Sequence, residues 1–163
     1  MKKIGLIFVA ILLVLTVGCT KDSDHDTSFR MKVATGVQEI ELNNEKVFAN
    51  LDIINDNTLE TRMGINKNFV NEYSIVVSLY SYSDMVAVIK KDNKNVDNAI
   101  LALDLYIEGG LEQYKNATEE DEFGKKMYEK YKNALKEEYK GYQIYIISDD
   151  NAKVLSEVKK LVK

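Results

Sequence analysis

The sequence predicts an α+β domain: a small antiparallel sheet of three or four strands, built from two hairpins, packed with amphipathic helices. Runs rich in β-branched residues and bounded by turn residues are typical of strands. They occupy residues 74–80, 85–90 and 142–148. Apolar residues also recur at spacings of three and four, as on the buried face of a helix. These stretches are 96–114, 123–131 and 152–162.

The N-terminal segment is typical of an export signal. Two lysines precede an uncharged, apolar run over residues 4–17, and Gly18 and Cys19 follow. As a helix this run would be about 21 Å long, which is too short to cross a hydrocarbon core of about 30 Å. The sequence therefore predicts a signal peptide over residues 1–18 rather than a membrane-spanning helix.

Thr16-Val17-Gly18-Cys19 resembles the lipobox of bacterial lipoproteins. In that family the cysteine receives a diacylglycerol on its sulfur and the leader is cut in front of it. Thr16 departs from the leucine that is usual there. The resemblance implies lipidation of Cys19, and two acyl chains such as palmitate anchor a protein stably where one does not. We therefore expect a lipid-anchored protein on the extracytoplasmic face of the cell membrane.

Residues 19–36 are predicted to be the lipidated cysteine and a flexible tether, because TKDSDHDTS is polar and lacks a periodic apolar pattern. His25 lies in this tether between two aspartates and is the only histidine of the chain. One histidine on a flexible segment is not a preorganised metal site, so we expect no metal and no cofactor. Residues 37–163 are predicted to form a single α+β domain.

Charge and catalytic side chains exclude several classes of function. The chain has 22 basic and 26 acidic side chains, and removal of the leader with its two lysines leaves an excess of six acids. This sign argues against nucleic-acid binding and against electrostatic attraction to anionic lipids. Because the histidine lies in the tether, Ser-His-Asp sets, Cys-His sets and zinc hydrolase sites are excluded. We expect a protein that is not an enzyme.

Three short helices are predicted before the first strand. The first has an N-cap at Asn43 or Asn44, and its apolar residues at helical spacing are Val47, Phe48 and Leu51. The second is expected at Leu59–Met63, closed by Gly64. The third is expected at Asn66–Tyr73.

Ser74–Tyr80 and Met85–Lys90 are predicted to be strands, because their apolar residues alternate with period two. The short connection between them indicates an antiparallel hairpin. Both strands carry apolar residues on both faces. We therefore expect a sheet covered on one side and partly covered on the other.

A long helix is predicted to begin at Asn95 and to kink or stop at Gly109-Gly110, because two glycines in a helix interior cost about 2 kcal/mol relative to alanine. Thr118 and Asp121 resemble a capping box that begins the next helix. The residues expected on the buried face of that helix are Phe123, Met127 and Tyr131.

The segment from residue 134 to 148 has two interpretations. Ala134–Tyr139 fits either the end of a helix or a strand, whereas Tyr142–Ser148 is strand-like. One of residues 148–150 is expected to cap the last helix. The inward residues of that helix are predicted to be Ala152, Leu155, Val158 and Val162.

Two longer runs, YSDMVAVIKKDNKNVDNAI and MYEKYKNALKEEYKGYQIYIISDD, together with the earlier MGIN turn, are similar to a family of small bacterial lipoproteins that is known only as a domain of unknown function. The resemblance covers about residues 37–163. It implies a second hairpin over residues 134–148, and it implies no active-site residue.

Tyrosine is the residue type that points most directly to binding. Tyr80 and Tyr82 flank Ser81 at the first hairpin, and Tyr142 and Tyr145 lie on opposite faces of the last strand. Exposed tyrosines favour contact with protein or sugar, because they bring a large area at low entropy cost. The alternative is that the rings cover the edge of the core, with their hydroxyls at the water boundary.

We expect a non-catalytic module that binds an envelope protein or a wall glycan. One alternative is a small-ligand receptor, which would have a tyrosine-lined pocket of several hundred Å³. The other is a carboxylate-dependent glycan hydrolase, which needs two acids about 5 to 9.5 Å apart in a groove.

Overall fold

The computed structural model describes residues 27–48, 50–79, 84–117 and 120–162. The predicted signal peptide over residues 1–18, the predicted lipidation site Cys19 and the first part of the tether lie outside the described residues. Tyr80, Tyr82 and Thr118 lie outside them as well.

Within these residues the chain forms five α-helices and seven strands. The helices are α1 (Thr27–Gln38), α2 (Asp56–Met63), α3 (Val96–Tyr114), α4 (Glu122–Lys132) and α5 (Asn151–Leu161). The strands are β1 (Glu41–Leu42), β2 (Glu45–Lys46), β3 (Leu51–Ile54), β4 (Tyr73–Ser78), β5 (Met85–Lys90), β6 (Leu135–Tyr139) and β7 (Tyr142–Ile147). None of these described helices has both the length and the apolar composition needed to cross a membrane.

The α+β class is confirmed, but the sheet is larger than the predicted three or four strands. Five antiparallel strands pair in the order β3-β4-β5-β7-β6, and β1 and β2 form a separate two-stranded hairpin. The two predicted hairpins, β4–β5 and β6–β7, are joined side by side through the pairing of β5 with β7. The additional strand is β3, which pairs with the outer side of β4.

Helices cover both faces of the large sheet. On one face Ile75, Ala87 and Tyr145 pack against α2, α3 and α4. On the other face Val86 and Ile144 pack against α1 and α5. The sequence predicted one partly covered face, whereas every residue of β4 and β7 is buried because both faces carry helices.

The tether prediction is wrong for residues 27–36, which belong to α1. Phe29, Val33 and Val37 recur every fourth residue and are buried against the sheet. The polar run just before them obscured this period at the sequence level. The folded domain therefore includes residues 27–36, which lie ahead of the predicted boundary at residue 37.

Polar contacts also fix α1 to the rest of the domain. The Arg30 guanidinium lies 2.6 Å from Asp56 Oδ1 and 4.4 Å above the centre of the Tyr73 ring. Tyr73 donates its hydroxyl hydrogen to the same carboxylate oxygen at 2.6 Å. Ser74 Oγ donates to the backbone carbonyl of Arg30 at 3.1 Å. Arg30 and Tyr73 are both buried, so α1 is joined to the start of α2 and to β4 inside the core.

The helix predicted around Val47, Phe48 and Leu51 does not form. Asn43 and Asn44, the predicted N-caps, have φ values of 53° and 67° and make the two-residue turn between β1 and β2. A turn of this hand needs the left-handed conformation at both central residues, and asparagine tolerates it. Leu51 then opens β3.

The helix predicted at Leu59–Met63 is confirmed and begins three residues earlier, at Asp56. Asn55 and Thr58 form a capping box, in which each side chain accepts a hydrogen bond from the backbone N–H of the other. At the other end Gly64, with φ 67°, closes the helix as predicted.

The helix predicted at Asn66–Tyr73 is reduced to one 3₁₀ turn, Lys67–Phe69. Tyr73 is instead the first residue of β4, where it is 1% exposed. Burial of this ring in the sheet outweighs the local helical spacing.

Of the two alternatives predicted at Gly109-Gly110, a kink or an early stop, the stop is wrong, because α3 continues to Tyr114. A Cβ at Gly110 would lie 2.3 Å from Cε1 of Tyr131, on α4. A Cβ at Gly109 would have nothing within 4 Å. Gly110 therefore permits the close approach of α3 to α4, and this packing offsets the low helix propensity of glycine.

The capping box predicted to begin at Thr118 places Asp121 inside the helix, but Asp121 is itself the N-cap of α4, and its carboxylate accepts from the Gly124 N–H at 2.8 Å. The predicted inward residues Met127 and Tyr131 are buried, but Phe123 is 56% exposed. The second half of α4 therefore packs into the core, whereas the Phe123 side chain in its first turn stays at the surface.

The strand alternative is the observed one for residues 135–139, which form β6 and pair with β7. Asp150 caps α5 by accepting from the Lys153 N–H at 3.0 Å. Of the predicted inward residues of α5, Ala152 is exposed, and Val154 is buried in the following turn. The remaining predicted positions, Leu155, Val158 and Val162, are buried.

Candidate binding groove

The described tyrosines of the predicted binding set lie in the core. Tyr142 is 7% exposed and Tyr145 is 0% exposed. They lie on opposite faces of β7, as predicted, one in each apolar cluster. Burial leaves little of the Tyr142 and Tyr145 rings for a ligand. The binding role of Tyr80, Tyr82, Tyr142 and Tyr145 stays a prediction.

Tyr145 links the sheet to α3. Its hydroxyl donates to Asp104 at 2.7 Å and lies 3.2 Å from the backbone carbonyl of Ile100. Lys136 Nζ lies 2.7 Å from the same carboxylate and 5.3 Å from the centre of the tyrosine ring. Burial, followed by the contact with Asp104, raises the pKa of Tyr145 above its ordinary value. This hydroxyl is a structural donor that holds α3 in place.

Tyr142 plays the same part on the opposite face. Its ring stacks on Phe29 of α1, with centroids 5.5 Å apart and planes at 15°. Its hydroxyl donates to Glu72. Burial and then this hydrogen bond raise the pKa of Tyr142 to about 12. The ring therefore helps to seal α1 onto the sheet.

A polar groove of about 1020 Å³ lies at the end of the sheet where β5 begins and β7 ends. The β1–β2 hairpin, the second half of α4 and the start of α5 form its walls. Among the described residues, no aromatic side chain lines it. Its charged lining side chains are Glu45, Lys46, Asp84, Lys126, Glu129, Lys130, Asp149, Asp150 and Lys153.

A buried ammonium group lies between two carboxylates in this groove. Lys130 Nζ is 2.5 Å from Asp84 Oδ1 and 3.2 Å from Asp149 Oδ1. The side chains of Lys130 and Asp84 are 6% and 10% exposed, whereas that of Asp149 is 53% exposed. Because desolvating an ion is costly, an ammonium stays buried only where carboxylates compensate it. Lys126 adds a second contact to Asp149, at 3.5 Å.

The fold explains how residues distant in sequence form this cluster. Asp84 directly precedes β5 and Asp149 follows β7 by two residues. Since β5 and β7 are antiparallel, with Met85 opposite Ile147, the start of one strand lies beside the end of the other. Lys130 follows Met127 by three positions on the buried face of α4, which carries its ammonium group to this corner.

Uncharged hydrogen-bonding groups continue the lining beside α5. Ser148 Oγ donates to Asn151 Oδ1 at 2.8 Å, and Asn151 Nδ2 donates to the backbone carbonyl of Asn133 at 2.6 Å. These contacts position amide and hydroxyl groups at the end of β7. The groove thus offers fixed donors and acceptors of both charge signs, which suits a polar ligand.

Sequence reasoning did not identify this groove. The available signal was Lys130, a lysine seven residues after Phe123 and three after Met127, and thus on the apolar stripe of a predicted helix. A charged residue on such a stripe indicates a buried ion pair or a functional position. Its partners Asp84 and Asp149 could not be assigned without the strand order.

Within the described ranges, no three or more His, Cys, Asp or Glu side chains are grouped so as to hold a metal ion. Comparison of the chain with models of known protein families, with curated proteins and with solved structures finds no match. Function is therefore inferred from the residues of this chain.

Proposed function

We propose that this chain is a membrane-anchored extracytoplasmic lipoprotein, held through lipid on Cys19. Its domain is a non-catalytic binding module that takes a polar partner from the cell envelope, a protein or a wall glycan, in the groove at the end of the sheet. The observation that carries the binding role is the groove, with a volume of about 1020 Å³ and a charged, hydrogen-bonding lining.

The lining supports a polar rather than an apolar partner. Pockets for apolar small molecules are lined mainly by apolar and aromatic side chains. Here charged side chains and amides dominate the described lining. The floor pair Lys130–Asp84 is buried, so it fixes the shape of the groove. Side chains nearer the rim, such as Lys153, are exposed and available for contact.

The start of α1 limits how far the domain can stand from the anchor. Residues 20–26 separate Cys19 from Thr27. At about 3.6 Å for each extended residue, the eight steps from Cys19 to Thr27 reach at most about 29 Å. A domain on so short a connection would work close to the membrane surface. An envelope partner at that surface fits this placement better than a distant one.

A small polar ligand is the second candidate, and the volume of the groove favours it. A groove near 1,000 Å³ is at the upper end of the range for small-molecule sites. The predicted tyrosine lining is not among the described lining residues. We do not propose the glycan hydrolase, because the Lys130 ammonium contacts both the buried Asp84 and the half-exposed Asp149, the two lining carboxylates that lie close together beside it.

The anchor is tested with Cys19→Ala in the full chain expressed in cells. We expect the wild-type protein in the membrane fraction with its leader removed. The variant should lose both the cleavage and the firm membrane attachment. If the variant stays membrane-bound and is cut at the same place, the anchor assignment is wrong.

The groove is tested by capture from detergent-solubilised cells and by binding to purified wall glycan. Lys153→Glu reverses a charge in the groove, and Lys94→Glu reverses an exposed charge outside it. We expect a partner to be retained by wild type and by the Lys94 variant and to be weakened at least tenfold by the Lys153 variant. Equal capture by all three, or no partner for the folded wild type, would overturn the binding role.

A further inference from the structure

We propose that two copies of this chain pair through β6, so that two five-stranded sheets become one continuous antiparallel sheet. The partner is thus a second copy of the chain, and the interaction surface is the open edge strand Leu135–Tyr139. This inference is independent of the ligand that the groove takes.

β6 is the outermost strand on its side of the sheet, and β7 is its single strand neighbour among the described residues. Tyr139 and Tyr142 flank the two-residue turn Lys140-Gly141. In such a hairpin, each flanking residue donates its backbone N–H to the C=O of the other. Because the pattern alternates, the backbone N–H and C=O groups of the second and fourth residues of β6 point away from β7. An edge of this kind is a template for another strand.

The sequence of β6 is complementary to itself when read in the opposite direction. In an antiparallel pair centred on Glu137, Lys136 lies opposite Glu138 of the second copy, and Leu135 lies opposite Tyr139. Two-fold symmetry makes each of these pairs occur twice. Lys136 and Glu138 are the residues with outward backbone groups, so they occupy the hydrogen-bonded positions of the new ladder. Opposite charges and aliphatic–aromatic pairs are favourable cross-strand neighbours.

The symmetry axis brings the two copies of Glu137 together, and Lys159 relieves this repulsion. Lys159 makes a salt bridge with Glu137, and its Nζ lies 5.1 Å from the centre of the Tyr139 ring. Two carboxylates therefore meet with two ammonium groups on the α5 side of the sheet. The charges at the interface therefore also cancel on the α5 side of the sheet.

The opposite face of β6 has its charges held in place. Lys136 Nζ lies 2.7 Å from Asp104 on α3, and Glu138 pairs with Lys91. Charged side chains on an edge strand repel most other strands. A second copy of β6 is a strand that presents the complementary order of charges, so these side chains select a copy of the same chain over an unrelated strand.

The register is tested by disulfide formation in membranes that contain the full chain. Glu137→Cys places the cysteine at the non-hydrogen-bonded pair on the two-fold axis. Cβ atoms there are about 4.5 to 5.5 Å apart, close to the roughly 3.5 to 4.5 Å of a disulfide. Thr61→Cys, exposed on α2 at the far edge of the sheet, is the matched control for random collision. We expect a disulfide-linked dimer with Glu137→Cys at a yield at least fivefold above the control.

Charge reversal then distinguishes specific pairing from chance contact. In the Glu137→Cys chain, Lys136→Glu and Glu138→Lys each place like charges opposite each other twice, so each alone should lower dimer yield at least fivefold. Co-expression of the two variants should restore the dimer, because an acidic edge then faces a basic one. Restoration also shows that both variants fold. Equal yields at residues 137 and 61, single variants that still form the dimer, or a mixture that does not recover would each overturn the proposal.

Discussion

Adjacent glycines in α3 predict opposite effects of the same substitution. Gly109→Ala adds a methyl group where nothing lies within 4 Å, and Gly110→Ala adds one 2.3 Å from the Tyr131 ring. Both replacements gain about 1 kcal/mol of helix propensity. Only the second must also displace a buried aromatic side chain.

The neighbours of Tyr131 determine the size of the penalty. Its ring stacks on Tyr114 with centroids 6.2 Å apart and lies 6.4 Å from the Tyr106 ring. Tyr131 is 7% exposed, so its ring has little room to move. Overpacking of this kind costs about 3 kcal/mol at the upper end of the usual range. After the propensity gain, we expect Gly110→Ala to lower the free energy of unfolding by about 2 kcal/mol and Gly109→Ala to raise it by about 1 kcal/mol.

Urea unfolding followed by tyrosine fluorescence measures both variants, since the chain has ten tyrosines and no tryptophan. The expected difference of about 3 kcal/mol corresponds to urea midpoints about 1 to 3 M apart, since the slope of the unfolding free energy is about 1 to 3 kcal/mol per M. Tyr131→Leu should remove most of the Gly110→Ala penalty. If Gly110→Ala stabilises the protein as much as Gly109→Ala does, close approach to the Tyr131 ring is not the reason for glycine at position 110.

Three further predictions concern buried polar groups and are tested by urea unfolding. Lys130→Met removes the ammonium group beside the buried Asp84 carboxylate and should destabilise the fold by about 3 kcal/mol; an unchanged midpoint would contradict the role of this pair. Tyr145→Phe removes the hydroxyl that donates to Asp104 and should cost about 1 kcal/mol at pH 7, and no loss would mean that packing alone holds α3. The pKa of Tyr142 is raised to about 12, so the unfolded chain releases this proton first, and stability should fall as pH rises from about 10 to about 12. Tyr142→Phe should show a smaller fall from about pH 10 to about pH 12, and an identical fall would contradict this assignment.

The elements with the clearest periodicity were predictable from sequence. Met85–Lys90 is a strand with the predicted bounds, and α3 begins directly after the predicted Asn95. Both are supported by long-range burial that agrees with their local pattern. The wrong predictions lie where the local sequence pattern and the long-range burial disagree. Asn43 and Asn44 suit an N-cap and a left-handed hairpin turn equally well, and pairing of β1 with β2 selects the turn.

The candidate groove was less predictable, because it depends on the strand order. Asp84 and Lys130 are 46 residues apart in the chain and meet only when β5 lies beside β7. Periodicity indicates which face of an element is buried but not which strand is its neighbour. The tyrosines illustrate the reverse case. Their positions on β7 were predicted, but burial by α1 and α3 was not, because the second face was expected to be partly open.

If lipid holds the chain at Cys19, as proposed above, the position of α1 has a mechanical consequence. Any tension between membrane and domain would reach α1 first, and this helix covers one face of the sheet instead of standing apart from it. The contacts of Arg30 with Asp56 and of Lys32 with the end of α5 would oppose its removal. Tension at the anchor would therefore act directly on the core, and release of α1 would expose the apolar surface beneath it.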